Sequence, residues 1–384
     1  MAHALLSASG AHRWLNCPGS VTLERDLPDT STEYAREGTL AHAIAELKLK
    51  KYFFNDLDTK EYKTTLKELE ENSLYQNEMK GYTDIYIDAI KNKALSFNDK
   101  PYINIEEQVD FSEYVPEGFG TADCVMIFGK ELIIADLKYG KGVVVDAENN
   151  PQLMLYALGA YCKYSMLYNI EKITMTIIQP RLDNIKSWAI ETAELLKFGE
   201  RIKPIAQEAY HGSAKFKTGE HCKFCKAKAI CKERARTMFN SVEDIKAAGD
   251  TATLSNDDIA LYLVKSKGVT DWIKDLEDLA LKAILRGEKI RGFKVVEGRS
   301  NRAFKDTDKA FKTLINYGID EKSLYERVPL TLAKVEKLVG KKDFNELLNN
   351  YVENPKGKPT LVAESDKRAE YVINDATAMF KKIN

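Results

Sequence analysis

Apolar positions repeat with two different periods along the chain, and the change of period separates helices from strands. From residue 33 to residue 54 the spacing of Leu40, Ile44 and Leu47 is helical, and a more polar helical stretch follows at about 59–95. The middle of the chain predicts strands at 101–109, 121–128, 131–137, 171–178 and about 187–192, with a helix at 151–163. This order predicts an α/β core, in which helices flank a mixed sheet.

The C-terminal part of the sequence is organised differently. Residues 257–286 predict a long helix, 292–296 a short strand, and several short helices follow, interrupted by a loop at 355–359. We therefore divide the chain into an α/β domain at 1–240 and a mainly helical α+β region at 241–384.

Composition places the chain among soluble globular proteins, because 44% of its 384 residues are hydrophobic and 30% are charged. No apolar run is long enough to span a bilayer, and residues 1–20 lack the pattern of a signal peptide. We therefore expect a cytoplasmic protein that does not contact a membrane.

Net charge limits how the chain can bind nucleic acid. The formal charge is −1, so any such binding must come from a local patch. The segment 213–236 carries eight Lys or Arg residues against Glu220 and Glu233, although a run of this kind is more often a solvated face.

Two of the predicted strands form a hairpin that brings two acids together. Gly129 and Lys130 are the turn, and the register that follows places Asp123 opposite Asp136 with Cβ atoms about 5 Å apart. Facing carboxylates repel, so the pair needs a cation, and Mg²⁺ and Mn²⁺ favour oxygen ligands. Lys138 shares the face of Asp136, where it could orient or help deprotonate a water, or offset charge on a phosphate.

The alternative is a solvated hairpin end, where acids and lysines are ordinary. Both faces of these strands are apolar, however, which is typical of strands buried on both sides. The apolar positions are Val125, Ile127, Leu132 and Ile134 on one face and Met126, Phe128, Ile133, Ala135 and Leu137 on the other.

The motif Gly120-Thr-Ala-Asp123, followed by a hairpin and Ile134-Ala-Asp136-Leu-Lys138, resembles the core of the PD-(D/E)XK nucleases. Gly38-Thr-Leu-Ala-His42 and Gln152-Leu-Met-Leu-Tyr156 resemble the additional motifs of the RecB-like branch. The resemblance implies a restriction-endonuclease-like core and covers residues 1 to about 236.

The resemblance also implies roles for single residues. Mg²⁺ or Mn²⁺ would be bound by His42, Asp123, Asp136 and the carbonyl of Leu137, with catalysis by Lys138 and support from Gln152 and Tyr156. Glu106 or Glu107 would add a carboxylate, and we favour Glu107. Each accessory residue has a plainer interpretation: His42 as a core histidine, and Gln152 and Tyr156 as a chance pair on one helix face.

The chain has six cysteines, which in a reducing compartment are thiols or metal ligands and not disulfides. Cys222-x₂-Cys225-x₅-Cys231 supplies three thiolates, one short of a tetrahedral set, which His221 could complete around zinc. With Cys17 near the N-terminus, the arrangement resembles the iron–sulfur RecB-like nucleases, among them CRISPR-associated exonucleases. The resemblance implies a [4Fe–4S] cluster held by Cys17, Cys222, Cys225 and Cys231. Cys124 and Cys162 have no ligand role in that scheme and are interpreted as buried small hydrophobes.

These resemblances imply a metal-dependent DNA nuclease, with exonuclease as the favoured form. DNA single strands or duplex ends are the expected substrate. The full-length pattern also resembles an uncharacterised family carried by phages and prophages, so phage recombination, replication or repair is the expected setting, with phage recombination or replication proteins as candidate partners. The alternative is a non-catalytic or assembly-dependent DNA-binding iron–sulfur subunit of such a complex.

Overall fold

The structure is a computed structural model, and it describes residues 4–28, 32–54, 58–246, 255–296, 306–325, 335, 340–348 and 351–352. The chain forms two compact units, residues 1–296 and residues 297–384.

The first unit contains five strands and most of the helices. The helices are α1 Ala11–Asn16, α2 Gly19–Glu24, α3 Glu33–Phe53, α4 Thr59–Glu70, α5 Asn77–Leu95, α6 Pro151–Tyr164, α7 Thr192–His211, α8 Lys232–Lys246 and α9 Asn256–Leu285. The strands are β1 Tyr102–Asp110, β2 Phe119–Phe128, β3 Glu131–Leu137, β4 Lys172–Gln179 and β5 Asn184–Glu191.

The five strands form one sheet in the order β1-β2-β3-β4-β5. β3 and β4 are parallel, whereas the other neighbours are antiparallel, so the sheet is mixed. The predicted α/β fold is therefore confirmed. The helix α6 makes the crossover between the two parallel strands, as a parallel connection requires.

Both faces of the sheet are covered by helices. One apolar cluster joins the sheet to α6 and α7, and a second joins the opposite face to α3 and α5. The central strands are consequently buried on both sides, which explains why their sequences are apolar at nearly every position.

Local sequence signals explain where the helices near the site begin. The hydroxyl of Thr32 accepts from the backbone N–H of Ala35 at the start of α3. Asn150 caps α6 in the same way, with Pro151 at the first helical position. Gly129 has φ 58° in the hairpin turn, a left-handed conformation that favours glycine.

The structure departs from the sequence-based expectations at two places in the first unit. The helical stretch at 59–95 is divided into α4 and α5, with a turn between Glu70 and Asn77. The strand predicted at 292–296 is wrong, because a turn at Gly292 with φ 87° leads into irregular chain outside the sheet.

The boundary between the units also lies later than the predicted division at residue 240. The helix α9 packs against α8 and therefore belongs to the first unit. The carboxylate of Asp275 on α9 accepts a hydrogen bond from the guanidinium of Arg234 at 2.6 Å and forms an ion pair with Lys228 at 2.7 Å. The rings of Phe239 and Trp272 also pack edge to face.

The second unit contains two described helices, α10 Thr307–Asn316 and α11 Lys341–Leu348, with a 3₁₀ turn at Glu321–Leu324. The loop predicted at 355–359 lies outside the described residues. Among the helices that the structure describes, none combines the length and the apolar character needed to cross a membrane.

Candidate metal and active site

The candidate site lies where β2 and β3 stop pairing. Their ladder runs from Phe128–Glu131 to Cys124–Ala135, so Asp123 and Asp136 occupy the next pair of positions, as the predicted register requires. At this point Oδ2 of Asp123 accepts the backbone N–H of Leu137 at 2.7 Å. The side chain of Asp123 thus connects β2 and β3 where their backbone pairing ends. This end of the two strands carries two carboxylates, those of Asp123 and Asp136.

A third carboxylate, that of Glu106 on β1, lies beside Asp123 at the same place. The residues on either side of Glu106 pair with those on either side of Asp123, so the two acids face each other. Glu106 has φ 55°, which is uncommon for a residue with a side chain. The pleat reverses here: Ile105 packs with the cluster beneath α3 and α5, whereas Val109 packs with the cluster on the other face. Strain of this kind is often kept at functional positions.

His42 of α3 completes a group of possible metal ligands. Nδ1 of His42 lies 3.2 Å from Oδ1 of Asp123. One ligand atom each from His42, Glu106 and Asp123 lie within 4.8 Å of one another, and among the described residues this is the group of three that meets that distance. The helix α3 therefore places His42 beside Asp123 of β2.

In the absence of a cation, the electrostatics of this group raise the pKa values of His42 and Glu106 and so favour their protonated forms. Burial alone lowers the pKa of His42, but the charge of Asp123 and its hydrogen bond outweigh burial and raise the pKa to about 9. Burial, together with the charge of Asp123, raises the pKa of Glu106 to about 7. Both protons would leave when a divalent ion binds, because metal ligands must be unprotonated.

The remaining predicted residues form a hydrogen-bonded row beside these ligands. Nζ of Lys138 lies 2.9 Å from Oδ2 of Asp136 and donates to Oε1 of Gln152 at 2.9 Å. Nε2 of Gln152 donates to Oδ1 of Asp136 at 3.3 Å and to the hydroxyl of Tyr156 at 3.2 Å. The predicted pair on α6 therefore holds the lysine and Asp136 in place.

The donors present suit a hard divalent cation. Carboxylate oxygens dominate the group, and Mg²⁺ and Mn²⁺ prefer oxygen ligands. Oδ2 of Asp136 is buried, and Nζ of Lys138 lies 2.9 Å from it as an ion pair outside hydrogen-bond geometry. Burial raises the pKa of Asp136, and Lys138 opposes the shift. A cation would compensate this carboxylate. Leu137 lines a narrow cleft together with His42, Glu106 and Asp123, and the role of its carbonyl as a ligand stays a prediction.

Glu107, which the sequence analysis favours over Glu106, lies away from the other candidate ligands in the structure. Its buried carboxylate accepts the hydroxyl of Tyr164 at 3.0 Å and pairs with Lys163, both on α6. The reversed pleat at Glu106 is the cause: regular alternation from Ile105 would place Glu107 on the α3 face and Glu106 on the opposite face, and the reversal exchanges them. Sequence reasoning could have found Glu106 only from the register between β1 and β2, which an eight-residue connection leaves open.

The N-terminal helices lie against the cysteine-rich segment, although some two hundred residues separate them. The backbone N–H of Lys217 donates to Sγ of Cys17 at 3.4 Å, and that of Gly19 donates to the carbonyl of Lys215 at 3.0 Å. The backbone N–H of Lys226 donates to Glu24 at 2.6 Å. The two ends of the predicted nuclease domain are therefore in contact.

The sulfur atoms themselves do not form a close group in the described part of the chain. Burial raises the pKa of Cys222, and the nearby thiols of Cys17 and Cys231 add to the shift. Burial raises the pKa of Cys225 to about 12. Nε2 of His221 lies 2.8 Å from the carbonyl oxygen of Lys217.

The two cysteines without a predicted ligand role differ from each other. Cys124 is fully buried, as predicted. Cys162 is half-buried, with Sγ 3.7 Å from a carboxylate oxygen of Glu113, so the expectation that it is buried is not met.

At least four of the eight basic side chains of the patch form ion pairs within the protein. Lys215 pairs with Glu208, and Arg236 pairs with Glu233. Lys228 and Arg234 both contact Asp275, as described above. The patch is consequently less positive than its composition indicates.

The fold and the site together define an α/β protein with a carboxylate-rich candidate metal site. Residues 3–369 match the model of a family described as "Protein of unknown function (DUF2800)", and the chain belongs to that family. A solved structure titled "Crystal structure of SSO0001" is similar over 51% of this chain and 98% of its own length, with 17% identity and a TM-score of 0.23. That likeness carries no argument about function.

Proposed function

We propose that this protein is a metal-dependent nuclease that hydrolyses phosphodiester bonds in DNA, with exonuclease as the favoured form. The observation that carries the proposal is the position of Lys138. Its ammonium group is fixed between Asp136 and Gln152, directly beside the carboxylates that could hold a divalent ion. A lysine that served only to neutralise Asp136 would not need the amide of Gln152 as a second anchor.

The side chains would divide the work between holding the cation and handling the substrate. His42, Glu106, Asp123 and Asp136 would hold Mg²⁺ or Mn²⁺. The ion would activate a water and stabilise charge on the phosphate. Lys138 is anchored so that its positive charge can orient the attacking water or offset charge on a scissile phosphate. Gln152 keeps the lysine in place and is itself held by Tyr156.

A [4Fe–4S] cluster held by Cys17, Cys222, Cys225 and Cys231 is part of the same proposal. Thiolates are the usual ligands of such clusters. The chain contacts between the N-terminal helices and the cysteine-rich segment support it, because they place Cys17 beside the segment that carries the other three cysteines. The cluster would fasten the two ends of the nuclease domain.

The second candidate function is an assembly-dependent DNA-binding subunit, acting with phage-type recombination or replication proteins. The internal ion pairs of the basic patch favour it, since they leave less positive charge for holding DNA alone. The complete set of Asp123, Asp136 and Lys138 favours catalysis by the chain itself.

Digestion of linear DNA by the purified protein tests the proposal. We expect cleavage that needs Mg²⁺ or Mn²⁺ and is abolished by EDTA. Asp136→Ala and Lys138→Ala should each reduce the rate at least a hundredfold while leaving the circular dichroism spectrum unchanged. Lys130→Ala is the control, because Lys130 is an exposed lysine at the turn of the same hairpin and pairs only on the surface with Glu171.

An active wild type with an active Lys138→Ala variant would refute the assignment of the site. A wild type that is inactive alone but cuts DNA when a partner protein is added would favour the second candidate.

A further inference from the structure

One buried hydroxyl beside the candidate metal site has no partner. Tyr86 of α5 is 1% exposed, and its hydroxyl makes no hydrogen bond. A buried polar group left unpaired costs about 1–3 kcal/mol. The metal-free protein would be more stable with phenylalanine at position 86, so the presence of the Tyr86 oxygen requires an explanation.

The position of Tyr86 supplies one. The residue packs beneath α3 with Ala45 and Leu49, and it lines the same narrow cleft as His42, Glu106 and Asp123. The cleft is narrow and leaves no room for a water molecule. The polar side chains that line this cleft are therefore the groups with which the Tyr86 hydroxyl can form a hydrogen bond, once an ion draws their oxygen atoms into the cleft.

The chemistry of the phenol fits a donor role. Burial and the neighbouring carboxylates raise its pKa well above the usual value, so the hydroxyl keeps its proton. A protonated phenol among carboxylates can donate but has little to accept from. Groups of this kind, one step removed from a metal, orient its ligands and tune its affinity.

We infer that Tyr86 is a positioning residue of the metal site: its hydroxyl donates a hydrogen bond to an oxygen ligand of the divalent ion held by His42, Glu106 and Asp123. The inference rests on the proposed metal site and adds a residue from a helix that contributes no ligand. It also explains why a buried oxygen without a partner is kept on the buried face of α5.

Tyr86→Phe tests the inference, because the substitution removes only the oxygen. We expect the dissociation constant for Mn²⁺, measured by electron paramagnetic resonance or calorimetry, to rise about tenfold or more. In the metal-free variant the melting temperature should stay the same or increase, since an unpaired polar atom has been removed. The increase in melting temperature on adding Mn²⁺ should be smaller than in the wild type.

Tyr139→Phe is the matched control. Tyr139 is also buried and its hydroxyl is also unpaired, but its ring packs among Leu40, Ala41 and Ile44 and stacks against Arg181. Removal of the Tyr139 hydroxyl should leave the affinity for Mn²⁺ unchanged. Equal Mn²⁺ affinity in Tyr86→Phe and the wild type would overturn the inference and leave the nuclease proposal standing. A wild type without measurable Mn²⁺ binding would overturn both.

Discussion

At the scale of single residues, the site depends on one backbone position. Glu106 takes a left-handed conformation, and the pleat of β1 reverses there. One consequence is that Glu106 faces His42 and Asp123. The other is that the buried carboxylate of Glu107 turns to the opposite face, where it contacts Lys163 and Tyr164. Two adjacent acids of the same type are thereby given different roles, one at the site and one in the core.

Substituting each acid in turn should separate these roles. We expect Glu106→Gln to weaken Mn²⁺ binding at least tenfold, because an anionic ligand is lost, with little loss of stability. Glu107→Gln should leave Mn²⁺ binding unchanged and lower the free energy of unfolding by about 1–3 kcal/mol, since the buried Tyr164 hydroxyl loses a charged acceptor.

Mn²⁺ titration and urea denaturation of both variants measure the two effects. Weaker Mn²⁺ binding in Glu107→Gln, with Glu106→Gln unaffected, would restore the original preference for Glu107.

At the scale of elements, the short helices α1 and α2 are positioned by contacts far away in sequence. Glu24 of α2 pairs with Arg13 of α1 at 2.8 Å and also accepts the backbone N–H of Lys226. The guanidinium of Arg13 donates to the carbonyl of Phe224 at 3.3 Å. Gly19 is required here, because a Cβ atom would lie 2.5 Å from the ring of Phe216. These contacts hold Cys17 beside the cysteine-rich segment.

The proposed cluster gives this arrangement a measurable consequence. Protein purified without oxygen should be brown, absorb near 400 nm as such clusters do, and contain about four irons per chain. Cys17→Ser should remove the colour as effectively as Cys225→Ser, and thermal stability should fall in both.

Cys124→Ser and Cys162→Ser are the controls and should keep their iron. One zinc per chain, bound equally well in Cys17→Ser, would favour a local site that includes His221 and would contradict the cluster.

At the scale of the whole molecule, the candidate site and the clusters of buried apolar residues around it lie within the first unit. The three apolar clusters contain residues from Leu6 to Ala209 only. The family match, by contrast, extends from residue 3 to residue 369 and includes most of the second unit.

A chain shortened to residues 1–296 should therefore fold and keep its metal site. We expect its Mn²⁺ dissociation constant to lie within about threefold of the full-length value, because none of the proposed ligands is removed. Circular dichroism and Mn²⁺ titration check this. A shortened chain that is unfolded would show that the second unit is needed for the fold of the first.

The sequence by itself determined the features that depend on neighbours along the chain. The hairpin register followed from a two-residue turn, so the opposition of Asp123 and Asp136 could be predicted. The helix cap at Asn150 and the four-residue spacing of Gln152 and Tyr156 fixed which side chains of α6 share a face. Apolar runs on both faces of the strands predicted a sheet covered by helices on both sides.

Only the tertiary structure decided which distant elements meet and which way a strand turns. The register of β1 is set across a longer connection, and the reversal of its pleat at Glu106 has no local sequence signal. The choice between Glu106 and Glu107 therefore depends on the folded structure. The unpaired hydroxyl of Tyr86 became visible only once α5 was packed beneath α3. Local patterns fix periodicity because it comes from backbone geometry, whereas these contacts depend on how whole elements pack.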